Sequence, residues 1–450
     1  MPIRSLEEVV SDTGNGISPE AGARAELDPL TQLPAQPLSR QQVRDFLSET
    51  ARRQDALAQA GRVSGSIYHG GAEHFSFLGE VATQFSHMNV LQRDMYPAAT
   101  RFESEIISMT AAMLHGGPDV RGAVTSGGTE SIVTAVLAYR NAARERRGES
   151  HPELVVAETA HPAFEKACHY FGVRLMRVKC EPVGEVDIRA MRRAITPHTI
   201  ALVGSAGDYG YGGVDDISAL GQIALEHGIG LHVDGCLGGF ILPWLARLGA
   251  DIPAFDFRVP GVSTISADTH KYGFAPKGSS VLLYENAALR DFQSFKSPEW
   301  PGGRYATPGM GGSRSHGQIA ATWAAMTTLG VPGYLDIAKG ILATVRTVRE
   351  GIEANPDLKL IRESSFIAAF ASDTVDVYRV NDLLRERGWR MNALQRPPAL
   401  HFCVTRPNTV AGIAEALVAD LAESTRLAKS QDGEAARTVP RYASGGGEHG

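Results

Sequence analysis

The chain has little cysteine, no apolar run long enough to span a bilayer, and no excess of positive charge. Each shortage removes a class of function. Only Cys168, Cys180, Cys236 and Cys403 occur in 450 residues, with no Cys-x-x-Cys pair. Neither a zinc site nor a disulfide framework is indicated, and a reducing compartment is the default. A membrane helix needs about 18 or more apolar residues. The run Cys236–Leu248 is shorter and is broken by Gly238, Gly239, Pro243 and Arg247. The formal net charge of −6 supplies no basic field for nucleic acid. The N-terminus has no basic region followed by an apolar core, so no secretory signal is visible. A soluble cytoplasmic protein without a bound metal is expected.

What is present is a large core and many turns. The length allows more than one domain, and the 48 glycines sit in tight loops rather than in one biased block. From Ala123 to Tyr284, short apolar runs (154–157, 174–178, 199–204, 230–233, 263–267, 280–284) alternate with helical patterns (130–146, 163–171, 187–194, 217–226). That alternation predicts a mostly parallel sheet covered on both faces, hence an α/β fold. Helical patterns at 316–329 and 334–353, and then mixed elements to about 427, predict a smaller C-terminal α/β domain. The expected divisions are 1–60, an N-terminal arm and helix opened by the Ser39–Gln42 capping box; 61–314, the large domain; 315–427, the small domain; and 428–450, a disordered tail. Residues 61–77 read as loop.

Four short stretches, each at a predicted strand end, carry chemistry. Ser266-Ala-Asp-Thr-His-Lys271 leaves a lysine clear of any charged surface run. Such a lysine either snorkels to water or is used covalently, and Schiff-base formation with pyridoxal phosphate (PLP) is the best-known covalent use. Thr125-Ser126-Gly127-Gly128-Thr129-Glu130 precedes a helix. It is either a tight turn with an N-cap or a cradle in which free N–H groups hold a phosphate. Asp234, in His232-Val-Asp-Gly-Cys236, either caps a loop or pairs with a cation such as a protonated pyridine nitrogen. His161 either starts a helix or covers a planar ring. Taken together in chain order (glycine turn, His161, Asp234, Lys271), they form the parts of a PLP site.

At this point the chain resembles the sphingosine-1-phosphate lyases. The resemblance is carried by Ser64-Gly-Ser-Ile-Tyr68, Thr125–Ser131, Ala160-His161, Ala190–Ile195, Leu231–Phe240, Phe255–Arg258, Ile265–Ser280, Met391–Gln395 and His401–Cys403. It implies a PLP-dependent transferase fold of type I (aspartate-aminotransferase-like) and a retro-aldol cleavage of phosphorylated sphingoid bases. The Asp-to-Lys portion alone would also suit an amino-acid decarboxylase of the same fold, which is the alternative reading.

The resemblance further implies roles. Lys271 would be the Schiff-base lysine, Asp234 the pyridine-nitrogen partner and His161 the ring-stacking residue. Ser126, Gly127, Gly128, Thr129, His270 and Ser313 would hold the cofactor phosphate, Ser313 from the other subunit of a homodimer with shared sites. Tyr68, Asn89, Gln92, Lys277 and Arg314 would surround the substrate phosphate or head group. Tyr209 and Cys236 would line the wall, and Lys271 or Tyr209 would carry protons. Gln92 departs from the family pattern, which has a histidine there; glutamine donates a hydrogen bond but carries no charge. The eukaryotic relatives' N-terminal membrane helix has no counterpart in this sequence, which points to the soluble, bacterial type.

Overall fold

A computed structural model describes residues 31–181, 184–431 and 433–442. The expected N-terminal arm up to residue 30 and the last eight residues lie outside the described residues. The chain opens with α1 (Arg40–Gln59), α2 (Ala72–Gln84) and α3 (Pro97–Met113). Then come β1 (Arg121–Thr125), α4 (Gly128–Arg147), β2 (Glu153–Ala157), α5 (Ala163–Phe171), β3 (Arg174–Val178), α6 (Ile188–Arg193), β4 (Thr199–Ser205) and α7 (Ile217–His227). β5 (Gly230–Asp234), α8 (Leu242–Arg247), β6 (Thr264–Ala267) and β7 (Ser280–Tyr284) complete the large sheet.

That sheet has seven strands in the order β1-β7-β6-β5-β4-β2-β3. β7 alone runs against its neighbours; the other six are parallel. Its central strands are apolar runs buried on both faces, such as Leu154–Ala157 and Ile200–Val203. This is the signature of strands covered by crossover helices. Because six strands share a direction, their C-terminal ends meet along one edge, the edge at which open α/β sheets bind ligands.

A short hairpin of β8 (Phe295–Ser297) and β9 (Tyr305–Thr307) leads to α9 (His316–Glu353). Gly330, at φ 54°, and Pro332 kink α9 where the sequence reads as two helices. A four-stranded antiparallel sheet follows, ordered β10 (Lys359–Leu360), β11 (Ile367–Ala371), β13 (Pro398–Cys403) and β12 (Asn392–Gln395), with α10 (Val377–Glu386) and α11 (Ile413–Ser430) beside it.

Two expectations fail locally. Residues 72–77, read as the end of a loop, instead begin α2, and its Leu78 is buried in a cluster with Ala321, Ala324 and Ala325 of α9. Tertiary packing there overrides a glycine- and aromatic-rich local signal. The segment expected as a disordered tail is held through residue 442. Asp382 accepts hydrogen bonds from the Arg437 N–H and the Thr438 hydroxyl, both at 2.6 Å, and Asn381 donates to Thr438 Oγ1 at 3.0 Å.

The two sheets are joined by a buried charge. The Arg362 guanidinium donates to the Gly184 and Val214 carbonyls at 2.9 Å and lies 3.4 Å from Asp208 Oδ2. Asp208 in turn accepts from the backbone N–H groups of Tyr211 and Gly213. The loop that carries Tyr209 is therefore stapled to the small domain.

Candidate active site

Five strand ends converge on one edge of the large sheet. β6 delivers Asp268, His270 and Lys271. The Lys271 ammonium lies 3.0 Å from Asp268 Oδ2, and His270 Nε2 lies 3.5 Å from the same oxygen. Burial works to lower the Lys271 pKa, but the Asp268 carboxylate outweighs it and holds the group above the usual lysine value. Burial raises Asp268, but Lys271 and then His270 prevail and hold it below the usual carboxylate range. Asp268 Oδ1 is buried and makes no hydrogen bond among the described residues.

β1 and α4 supply the glycine turn. A Cβ added at Gly128 would lie 2.8 Å from both Asp268 Oδ2 and Cys236 Sγ, and one at Gly127 would lie 3.3 Å from His270 Cε1. Gly127 sits at φ 151°, a backbone region that favours glycine. The turn therefore lies flat against the Lys271 group, at the N-terminus of a 20-residue helix. The Ser126 N–H is already engaged, donating to Glu130 Oε2 at 2.7 Å, while the other oxygen of Glu130 accepts from the Met310 N–H. Thr129 is exposed.

β5 ends in Asp234, whose Oδ1 accepts from the Cys236 N–H at 3.0 Å and the Ser266 hydroxyl at 3.3 Å. His161, after β2, accepts from the Ala163 N–H at Nδ1. Its proton therefore sits on Nε2, which donates to the Tyr442 hydroxyl at 2.8 Å. Burial pulls the His161 pKa down, partly offset by Asp234. Tyr209, after β4, packs edge-on against His401 and Tyr442, with ring centroids 5.0 and 4.7 Å apart. Burial pushes it up to about 12. His401 of β13 donates from Nδ1 to the Gly210 carbonyl and accepts from Asn392 at Nε2, so the small sheet holds the Tyr209 loop from the other side.

Lys277 and Tyr68 stand beside this group. The residue Lys277 is exposed, but its ammonium lies 4.7 Å from the Tyr68 ring centroid and 3.4 Å from the His270 carbonyl oxygen. Burial, then the charge of Lys271, push it down to about 8. Asn89 and Ser313 form a second cluster, with the Asn89 amide donating to Ser313 Oγ at 2.9 Å; Gln92 nearby is exposed. Among the described residues no hydrogen bond or ion pair joins these three to Lys271. Arg314 departs from the expectation of a guanidinium offered to a phosphate. It donates to the Val124 carbonyl at 2.6 Å and lies 3.5 Å from Glu103. Glu103 is 6% exposed and is already paired with Arg93 at 2.7 Å, so Arg314 adds a second, longer contact to a carboxylate of its own chain.

Three contributors escaped the sequence reading. Asp268 stands in the Asp-x-His-Lys stretch and could have been found there, since a carboxylate three residues before a buried lysine is its natural partner. Glu130 matches a capping pattern over the glycine turn. Tyr442 carries no local signal, because nothing near it in sequence points at the sheet edge.

The fold and the convergent lysine, carboxylate and glycine turn define a PLP-dependent enzyme of fold type I. Residues 64–369 match the pyridoxal-dependent decarboxylase conserved domain. A sphingosine-1-phosphate lyase from Oryza sativa is 42% identical over 90% of this chain and 76% of its own length. The Rattus norvegicus sphingosine-1-phosphate lyase 1 is 41% identical over 90% of this chain and 72% of its own length. The solved structure of a sphingosine-1-phosphate lyase from Burkholderia pseudomallei superposes with a TM-score of 0.89 at 47% identity, covering 90% of this chain and 95% of that one. A Lactobacillus brevis glutamate decarboxylase, at 19% identity and a TM-score of 0.75, covers 90% of this chain and 96% of its own and shares the fold. The chain belongs to the sphingosine-1-phosphate lyase family. Among the described residues no helix is long and apolar enough to cross a membrane.

Proposed function

We propose that the protein cleaves phosphorylated long-chain bases such as sphingosine 1-phosphate to a long-chain aldehyde and phosphoethanolamine. The observation that carries this reading is the Lys277 ammonium held over Tyr68 beside His270, a cation six residues beyond Lys271 and ready for a substrate phosphate. The residues at the sheet edge also fit PLP. Lys271 is the amine that would hold it, Asp234 the carboxylate for its ring nitrogen and His161 the imidazole for its face. Gly127, Gly128 and His270 border the helix end that would take its phosphate. When bound, the cofactor supplies an electron sink for the carbanion formed at the substrate Cα.

The chain's own residues then have to move protons. The substrate's β-hydroxyl loses a proton, the Cα–Cβ bond breaks, the former Cβ departs as the aldehyde carbon, and Cα regains a proton. Asp268 stabilises the charged form of Lys271, which makes the neutral Lys271 amine the stronger base and suits it to the hydroxyl proton. Tyr209, pushed up to about 12 by burial, keeps its proton at neutral pH and suits the donating step. Lys277 and Tyr68 hold the phosphate end throughout. A homodimer is part of this reading: the Asn89–Ser313 cluster would face a partner's cofactor, and mixed dimers of Lys271→Ala with Asn89→Ala chains would regain activity.

The test supplies sphingosine 1-phosphate, sphingosine and a panel of amino acids to the loaded enzyme, with aldehyde and CO₂ both measured. Aldehyde from the phosphorylated base alone is expected. CO₂ from an amino acid, faster than aldehyde from any base, would replace this reading by a decarboxylase.

A further inference from the structure

A line of buried polar side chains runs from Asp234 away from the reacting groups and into the protein. β5 and β6 pair with His232 opposite Thr264 and Asp234 opposite Ser266, and the two-residue period of a strand puts all four on one face. α4 covers that face with Tyr139. The contacts are continuous. The Ser266 hydroxyl donates to Asp234 at 3.3 Å, and His232 Nε2 meets Ser266 Oγ at 3.2 Å. His232 Nδ1 meets Thr264 Oγ1 at 2.8 Å, Thr264 Oγ1 meets the Tyr139 hydroxyl at 2.6 Å, and that hydroxyl meets Ser263 Oγ at 2.8 Å. The line ends at the Leu231 N–H, which donates to Ser263 Oγ at 3.0 Å. Every side chain in it is at most 8% exposed.

Counting protons orients the line. With Asp234 as the carboxylate that a cationic ring nitrogen selects, Ser266 spends its proton on Asp234. Ser266 must then accept from His232 Nε2–H. Burial pushes His232 down to about 4, so the imidazole is neutral and its Nδ1 must accept from Thr264. Thr264 then accepts from Tyr139, while Ser263 accepts from the Leu231 N–H and can place its own proton on Tyr139 or on the Leu231 carbonyl 3.2 Å away. The dipoles from Tyr139 through Thr264, His232 and Ser266 point at Asp234, and aligned hydrogen bonds in a dry interior polarise one another. The amide at the far end cannot pass a proton on, so the line orients charge rather than conducting it.

We propose that His232, backed by Thr264 and Tyr139, is a positioning residue that acts through Ser266 to hold Asp234 charged and aimed at the cofactor's ring nitrogen. This rests on the reading of Asp234 as the ring-nitrogen partner, and the test separates the two. Full-length protein is loaded with PLP labelled with ¹⁵N in the ring, and the ring-nitrogen resonance is recorded at neutral pH. Wild type and Asp234→Asn mark the protonated and unprotonated positions.

Ser266→Ala and His232→Leu should each move the resonance from the wild-type position toward that of Asp234→Asn, and Tyr139→Phe should move it less. His232→Gln, whose amide can both donate to Ser266 and accept from Thr264, should stay with the wild type. Turnover should fall about tenfold in His232→Leu and recover in His232→Gln. Thr264→Val, nearly equal in volume, reads the same loss if His232→Leu does not fold. If Asp234→Asn leaves the resonance in place, the ring-nitrogen assignment fails. If Asp234→Asn moves it while His232→Leu or Thr264→Val does not, the positioning role is overturned.

Discussion

The two rims of the site are built differently. The cofactor rim is made of strand ends: Asp234 closes β5, Lys271 follows β6, and the Gly127–Gly128 turn joins β1 to α4. Its side chains are fixed by a sheet whose central strands are buried on both faces. The substrate rim is assembled from distant pieces. Tyr68 comes from the loop before α2, Tyr209 from a loop stapled by Arg362 and His401, and Tyr442 from the C-terminal segment. On the proposed function, the rigid sheet edge would hold the cofactor and the loops held from outside would meet the substrate.

Substitutions on the two rims should therefore differ in size and kind. Lys271→Ala should lower turnover by about 10⁴-fold or more and abolish borohydride fixation of the cofactor; fixation at the wild-type level would move the covalent role elsewhere. Asp234→Asn should retain the cofactor and slow turnover by about 10²-fold, the scale of a lost charge stabiliser. Turnover close to wild type would erase the distinction of the cofactor rim.

On the substrate rim, Lys277→Ala should raise KM by about 30-fold and leave kcat nearly unchanged, as expected for binding that is uniform between ground and transition states. A pH profile sharpens this. The Lys277 pKa is lowered to about 8, so its charged form, the one that attracts a phosphate, is present below that pH and lost above it. kcat/KM for the phosphorylated base should fall as pH rises through about 8, and that limb should vanish in Lys277→Ala. A profile identical in the two proteins would remove Lys277 from the pocket.

The smallest effect should be that of Tyr442→Phe, which removes one hydrogen bond to His161. A loss of about threefold to tenfold in kcat/KM is expected. Truncation after Ser430 should cost more, because it removes the Tyr442 ring from Tyr209 as well as the hydroxyl. Equal activity of the truncated and full-length chains would take the C-terminal segment out of the site.

The difference between the rims also decided what could be read before folding. The strand at 154–157 is legible because a parallel strand buried on both faces is apolar at every position; 280–284 is a buried run too, though antiparallel, and 174–178 is an edge strand that keeps Arg174 and Arg177 exposed. The glycine turn and the Lys271 stretch are legible because each is a short local pattern at a strand end. Lys277 is legible because six residues of turn keep it near Lys271. α2 is not, because its stability comes from α9, more than two hundred residues away. The resemblance puts the Arg314 guanidinium beside a substrate phosphate, whereas in the structure it bonds the Val124 carbonyl and lies near the buried Glu103, contacts that only the fold brings together.

By itself the sequence determined the α/β alternation, the family, and the residues at the sheet edge, since each depends on contacts within a few positions of the chain. Only the tertiary structure decided which carboxylate pairs with Lys271, where the Arg314 guanidinium lies, that Tyr442 returns to His161, and that Ser266, His232 and Thr264 line up behind Asp234. Those outcomes depend on groups tens to hundreds of residues apart meeting in a medium from which water is excluded, where an unpaired charge or hydroxyl is costly and each polar group must take the partner the fold supplies.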